Sequence, residues 1–151
     1  MKIIMNPSPF DDKLNTCDLG KILSVLLNEI EGEQITGYKD KDQILYAMAE
    51  KFPNARFVLT LGSDGAVYYD GKEKVFQDIF EVKAVDTTAA GDTFTGYFIA
   101  AVIEDRSVQE ALRMAAKASS IAVSRPGATP SIPAMDEVKG KLGMQDFNKT
   151  E

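Results

Sequence analysis

Nine consecutive residues carry the densest chemistry in this chain: Asp86-Thr87-Thr88-Ala89-Ala90-Gly91-Asp92-Thr93-Phe94. Val82, Ala84 and Val85 precede them as a short apolar run that reads as a buried strand end. Phe94, Phe98, Ile99 and Val102 follow at helical spacing. Ala89, Ala90 and Gly91 have almost no side chain, so a ligand can approach their backbone closely. The first N–H groups of a helix lack intrahelical partners, and with the helix dipole they make an anion site. Asp92 falls in that first turn, a carboxylate beside donors that attract negative charge. Donors that hold a phosphoryl group and a carboxylate that takes a hydroxyl proton suit phosphoryl transfer. Taken singly, an Asp or Thr at a helix start is most simply a cap.

The elements that must position this turn follow from periodicity. Ile3–Met5 reads as a buried strand, stopped by the turn Asn6-Pro7-Ser8-Pro9. Ile22–Leu27 reads as a second strand ending at Asn28, followed by a short helix over 29–35 that Gly37 ends. Ile44, Leu45, Met48 and Phe52 share one face of a helix over 41–52, stopped by Pro53. Phe57–Leu61 and Ala66–Tyr69 are strands joined through Gly62-Ser63-Asp64-Gly65, and Asp70-Gly71 marks a further hairpin to Val75-Phe76. Val82–Val85 reads as another strand. Helices are expected over 91–103, 107–123 and 134–142; the second carries Val108, Ala111, Leu112, Ala115 and Ala122 on one stripe. The tail from Gly143 reads as frayed.

Strands alternating with helices imply a mainly parallel sheet covered on both faces, with ligands at the carboxyl ends of strands. Asn6, Asn28, Gly62 and Asp86 all fall just after expected strands, so these positions would gather along one edge.

Composition bounds the function. The chain has 151 residues, 44% hydrophobic and 26% charged, which suits one globular domain with a sizeable core. The net charge of −6 argues against a nucleic-acid or anionic-membrane binder. It leaves a local phosphate site open. A lone cysteine, Cys17, excludes an internal disulfide framework and fits a reducing cytoplasm. With no histidine, imidazole base chemistry and His-ligated zinc are excluded. No apolar run approaches a membrane span, and the N-terminus lacks a signal-peptide pattern.

The stretch from Asp86 to Phe94 resembles the C-terminal signature of the ribokinase-like (PfkB-type) carbohydrate kinases, with Ala89 in a variant frequent among ribokinases themselves. Asn6-Pro7-Ser8-Pro9 resembles the family's turn after a central strand, and Asn28-Glu29-Ile30-Glu31 its Asn-x-x-Glu motif. Thr60–Gly65 is similar to the nucleotide-loop segment, and Ser124–Ser131 to the stretch that closes over nucleotide and monovalent cation.

The resemblance implies an α/β fold of the ribokinase-like, Rossmann-like three-layer sandwich type, represented by its C-terminal portion only. Residues 1–142 would be that nucleotide-binding and catalytic portion and 143–151 the tail. The half that carries most sugar contacts and a small β-sheet lid has no counterpart here, so the chain looks truncated and inactive alone. The implied activity is ATP-dependent phosphorylation of a sugar hydroxyl, with ribokinase the nearest type. Fructokinase, another PfkB-type kinase or a non-catalytic nucleotide-binding remnant are the alternatives.

Asp92 would be the general base, and the Ala89-Ala90-Gly91 turn the anion hole, with donors at Ala90, Gly91 and Asp92. The turn geometry is expected to require glycine at Gly91. Asn28 and Glu31 would orient nucleotide phosphates, with Glu31 holding magnesium through water; a capping-box pair accounts for the same spacing. Thr60, Gly62, Ser63, Gly65 and Gly91 would bind nucleotide, Asp64 being a variable, solvated position. Asp86, Thr88, Ala122, Arg125, Gly127 and Ser131 would bracket a monovalent cation, potassium. Ala116 stands where ribokinases often place a histidine near adenine. The implied partners are ATP, magnesium and a small sugar. A homo-oligomer or pairing with a missing N-terminal half is expected, with no nucleic acid and no membrane.

Overall fold

A computed structural model describes residues 3–11 and 21–144. Cys17 and the tail beyond Met144 lie outside them. The chain divides into two compact units, Met1–Asp78 and Ile79–Glu151.

The first unit is built on a five-stranded sheet in the order β1 (Ile3–Met5), β2 (Ile22–Asn28), β3 (Arg56–Thr60), β4 (Ala66–Tyr69), β5 (Lys74–Gln77). β1, β2 and β3 pair in parallel; β4 is antiparallel to both β3 and β5. All strands but β4 therefore run one way. The apolar runs read from the sequence explain why: β2 and β3 are buried along most of their length, as strands covered on both faces must be. Val25, Leu27, Phe57, Leu59 and Val67 pack with Ile44, Leu45 and Met48 of helix α2 (Lys41–Lys51) in one cluster. Each such side chain, fully buried, contributes about 1.5–3 kcal/mol.

Helix α1 (Glu29–Thr36) starts on Asn28 and ends at Gly37, which takes a left-handed C-cap. α2 starts on Asp40, whose carboxylate accepts from the N–H groups of Asp42 and Gln43 at 3.0 Å. Because β1, β2 and β3 are parallel, Asn6 just after β1, Asn28 at the end of β2 and Gly62 just beyond β3 fall at the same end of the sheet.

The second unit is helical: α3 (Ala90–Ile103), α4 (Val108–Val123) and α5 (Met135–Leu142), with a 3₁₀ turn at Thr129–Ser131. α3 packs on α4, and α5 packs on α4. The buried face of α3 is Phe94, Tyr97, Phe98 and Ala101, so Phe94 and Phe98 face inward as the spacing predicts. Ile99 and Val102 are only partly covered. α4 buries Ala111, Leu112, Ala115 and Ala122 as expected, together with Met114, Ala118 and Ile121.

One expected strand is absent. Val82–Val85 forms no ladder, and Val82 and Val85 are 43% and 57% exposed. The segment has no neighbouring strand among the described residues; instead the N–H groups of Val85 and Asp86 both donate to the Val123 carbonyl at 2.8 and 3.1 Å. Asp86 thus follows a loop held on the end of α4, not a strand end.

Candidate active site

In the second unit, α3 begins one residue earlier than its sequence pattern suggests, at Ala90. Ala89 occupies the N-cap position and offers no side-chain bond. Its ψ of 7° differs from the extended 177° at Asn28 and 156° at Ser107, so the backbone itself is not set for a cap. The Ala90 N–H is spent on the Thr87 carbonyl at 3.1 Å. Of the three donors expected in the anion hole, Ala90 is therefore committed. The N–H groups of Gly91 and Asp92 have no acceptor among the described residues. Ala89 is buried, and it accepts the Thr93 N–H at 3.0 Å, which closes the first helical turn.

Gly91 corrects a second expectation. It lies inside the helix, its φ is not positive, and a Cβ built there meets nothing within 4 Å. Turn geometry does not demand glycine here; glycine leaves open space over the free donors. Asp92 is exposed, in the first turn, and its carboxylate has no bonded partner among the described residues.

A brace behind this turn was not legible from spacing. The Ser119 hydroxyl of α4 donates to the Ala90 carbonyl at 3.1 Å, fixing the first residue of α3. Asp86 forms the other brace. Its Oδ1 accepts from the Thr88 N–H at 2.9 Å and from the Thr88 hydroxyl, while Oδ2 accepts from the Gly127 N–H at 3.0 Å. The Thr88 hydroxyl bond, then the two N–H bonds, hold the Asp86 carboxyl below the usual carboxylate range. One carboxylate thereby ties the signature turn to the 124–131 stretch.

The other cation candidates are engaged in the same loop. The Ala122 carbonyl accepts the Arg125 N–H at 3.1 Å, and the Ser131 hydroxyl, buried, donates to the Ala128 carbonyl at 2.6 Å. The Arg125 side chain pairs with Glu137 of α5. Asp86, Thr88 and Gly127 are brought together by hydrogen bonds; Ala122, Arg125 and Ser131 are tied elsewhere within the segment. The Asp86 and Ser131 side chains and the Ala122 carbonyl brace this loop, while the Thr88, Arg125 and Gly127 carbonyl oxygens accept no hydrogen bond from another described residue.

In the first unit, Asn28 and Thr60 are register partners across β2 and β3. Asn28 caps α1: its Oδ1 accepts the Glu31 N–H at 2.9 Å, and Glu31 Oε2 accepts the Asn28 N–H at 3.0 Å. The pair is thus a capping box with Glu31 buried, the structural role that the spacing left open. The Thr60 hydroxyl donates to the Leu27 carbonyl at 3.4 Å. Ser63 donates to Asp64 at 3.3 Å. Gly62 and Gly65 both have positive φ, and a Cβ on Gly65 would sit 2.3 Å from the Gln77 carbonyl oxygen, so Gly65 is required by the approach of β5. Among the described residues no three His, Cys, Asp or Glu side chains cluster to hold a metal directly. No helix of the described residues is long and apolar enough to cross a membrane.

The chain is similar to known proteins in sequence and in fold. The sequence profile described as pfkB family carbohydrate kinase matches residues 1–135. The chain is 35% identical over 146 residues to the ribokinase of Haemophilus influenzae, covering 91% of this chain and 46% of that protein. It is 33% identical over 150 residues to probable fructokinase-2 of Arabidopsis thaliana, covering 92% and 45%. Among solved structures, Arabidopsis thaliana ribokinase complexed with ribose and ATP superposes with a TM-score of 0.76 at 35% identity, covering 84% of this chain and 43% of that one. The chain spans about half the length of the curated relatives it matches.

Proposed function

The chain belongs to the pfkB family of carbohydrate kinases and has part of the ribokinase-like α/β fold, and we propose that it supplies the phosphoryl-donor side of an ATP-dependent sugar kinase, most like a ribokinase. The observation that carries this reading is the bare start of α3, where two N–H groups and one carboxylate stand without partners beside open space. The Gly91 and Asp92 N–H groups hold oxygens of the transferring phosphoryl group, stabilising charge that builds as transfer proceeds. Asp92 accepts the proton of the attacking sugar hydroxyl. The hydroxyl sheds its proton largely as phosphorus is attacked, so placement of the carboxylate outweighs its basicity. When bound, ATP supplies the phosphoryl group and magnesium neutralises charge on its oxygens.

Asp86 and Ser119 act by positioning: they fix the two sides of the turn that presents Gly91 and Asp92. Ala89, buried, sets the backbone that keeps those donors uncapped. In the first unit, Asn28 and Glu31, while closing the start of α1, would also orient phosphates and hold magnesium through water, and Thr60, Gly62, Ser63 and Gly65 would bind nucleotide. Potassium would draw on oxygens of Asp86, Thr88, Ala122, Arg125, Gly127 and Ser131, which suit a hard cation. Residues 1–142 form the functional portion, working in the cytoplasm.

Calorimetric titration with a non-hydrolysable ATP analogue and magnesium tests the reading. Saturable heat with a raised melting temperature is expected. No heat and no thermal shift at millimolar ligand would overturn it. Repeating the titration with potassium in place of an organic cation tests the loop site, where tighter binding is expected.

The similarity to a fructokinase keeps a second sugar in view, since 33% identity there nearly equals the 35% to ribokinase. A coupled ADP assay with ribose and with fructose separates them.

A further inference from the structure

The first unit has a groove at the end of the sheet where β3 begins, opposite the end that carries Asn28 and Gly62. α2 contributes Tyr46 and Glu50, the end of β4 contributes Tyr69 and Asp70, and the α2–β3 connection contributes Pro53 and Ala55. Its volume of about 380 Å³ suits a small ligand. No lining residue is cationic, yet two are carboxylates. Asp70 is fixed in place: Oδ1 accepts the N–H groups of Glu73 at 2.7 Å and Lys72 at 2.9 Å. These bonds, that of Glu73 first, hold its carboxyl below the usual carboxylate range. Asp70 Oδ2 takes the Tyr68 hydroxyl at 3.4 Å, a long bond that leaves it room for another donor. The Glu50 carboxylate has no bonded partner among the described residues. Lys74 stands beside the groove, its ammonium 4.7 Å from the centre of the Tyr46 ring, but it is spent on Asp42 at 2.9 Å. The field of Arg56 is the weakest of the influences on Asp70.

We propose that this groove binds a short aliphatic diamine, with one ammonium on Glu50, the other on Asp70, and the methylene chain against Tyr46, Tyr69, Pro53 and Ala55. Charge complementarity selects this occupant. Two carboxylates without a lining cation, in a chain of net charge −6, repel a phosphate or carboxylate ligand and leave a neutral polyol unfavoured. The rings suit a cation as well. Tyr46 and Tyr69 meet edge to face at 5.5 Å, and both already draw the Lys74 ammonium, at 4.7 and 5.7 Å. One exposed ion pair holds little by itself. Two charges on one short chain act together, because the first contact raises the effective concentration of the second. The site lies at the other end of the sheet from Asn28 and Gly62, and the proposal does not rest on the nucleotide reading.

Amide NMR of the 151-residue chain, titrated with diaminobutane at low salt, supplies the test. Saturable shifts are expected at Glu50, Ala55 and Asp70, with Asn28 and Gly62 unmoved. Butylamine, which carries one charge, should bind about fivefold more weakly, the weight of one exposed ion pair. Butanediol, of the same length and neutral, should not bind. Glu50→Gln should bring the diamine down to the affinity of butylamine. The melting temperature of that variant should not change, because the Glu50 carboxylate holds nothing in the free chain. Each of four outcomes overturns the proposal: no saturable shift, shifts spread evenly over the acidic surface, butanediol binding as tightly as the diamine, or Glu50→Gln binding it as tightly as the wild type. None of these readouts involves nucleotide, so failure here leaves the nucleotide titration to stand or fall separately.

Discussion

Four described helices carry an acidic residue at the third helical position, Glu31 in α1, Asp92 in α3, Glu110 in α4 and Glu137 in α5, and they are used differently. At α1, Glu31 folds back on the Asn28 N–H while Asn28 accepts from Glu31. At α4, Glu110 does the same with Ser107. Both helix starts are closed, with donors and carboxylate satisfied by each other. At α3, Ala89 has no side chain to offer, Asp92 does not fold back, and the Gly91 and Asp92 N–H groups are left over. α5 also starts without a side-chain cap, at Ala134. A bare start alone therefore marks no site. What α3 adds is Gly91 with empty space at its Cβ and a carboxylate that nothing holds. A cap stabilises a helix start by about 1 kcal/mol, and α3 forgoes this.

The largest effect that would break this comparison is catalytic. For phosphoryl transfer as proposed, Asp92→Asn should lower the rate by about 10²–10⁴-fold, the usual contribution of a general base. Nucleotide affinity should hardly change, because the shape is kept. Turnover at the wild-type rate would remove Asp92 from the mechanism. The corresponding change in a closed start, Glu110→Gln, should leave the rate alone.

Two glycines sharpen the contrast by stability, read from urea melts. Gly65→Ala should cost more than about 1 kcal/mol, since positive φ and a carbonyl 2.3 Å from the new Cβ both oppose it. Gly91→Ala should instead stabilise the fold by up to about 1 kcal/mol, as alanine is the better helix former, while weakening nucleotide binding by filling the open space. A destabilised Gly91→Ala would restore the expectation that the turn needs glycine.

Much of this was legible in the sequence. Long, strongly patterned segments declared themselves: β2 and β3 by unbroken apolar runs, α2 and α4 by their stripes, and the β3–β4 connection by Gly62 and Gly65. Asn28 and Glu31 were readable as a pair but not as to role, because capping and phosphate orientation use one spacing. Val82–Val85 misled because strand propensity says only that a segment would suit a sheet, and no described strand pairs with it. The Asp86–Gly127 bond spans 41 positions and leaves no local trace. Ala90 was credited with a free donor because helix starts are uncertain by a residue or two, and the Thr87 carbonyl takes it.

The caps predict a further, smaller difference. Ser107→Ala should cost about 1 kcal/mol. Ala89→Ser should gain nothing, since a ψ of 7° does not aim a hydroxyl at the first-turn donors. A stabilised Ala89→Ser would mean that the bare start is a matter of side chain alone.

The smallest effect is in pH. The folded Asp86 carboxyl lies below its ordinary value, chiefly through the Thr88 hydroxyl. A depressed folded pKa gives stability that is complete above the unfolded value near 4 and lost as pH falls through the folded one. Asp86→Asn should therefore flatten the loss of stability below about pH 4. An unchanged acid limb would take Asp86 out of the brace.

The central claim is that the uncapped donors of α3 hold phosphate. Amide NMR of the chain titrated with a non-hydrolysable ATP analogue and magnesium observes those donors themselves. The account predicts large, saturable shifts at Gly91 and Asp92, with the closed start at Ser107–Glu110 unmoved. Saturable binding that leaves the Gly91 and Asp92 amides where they were would contradict it.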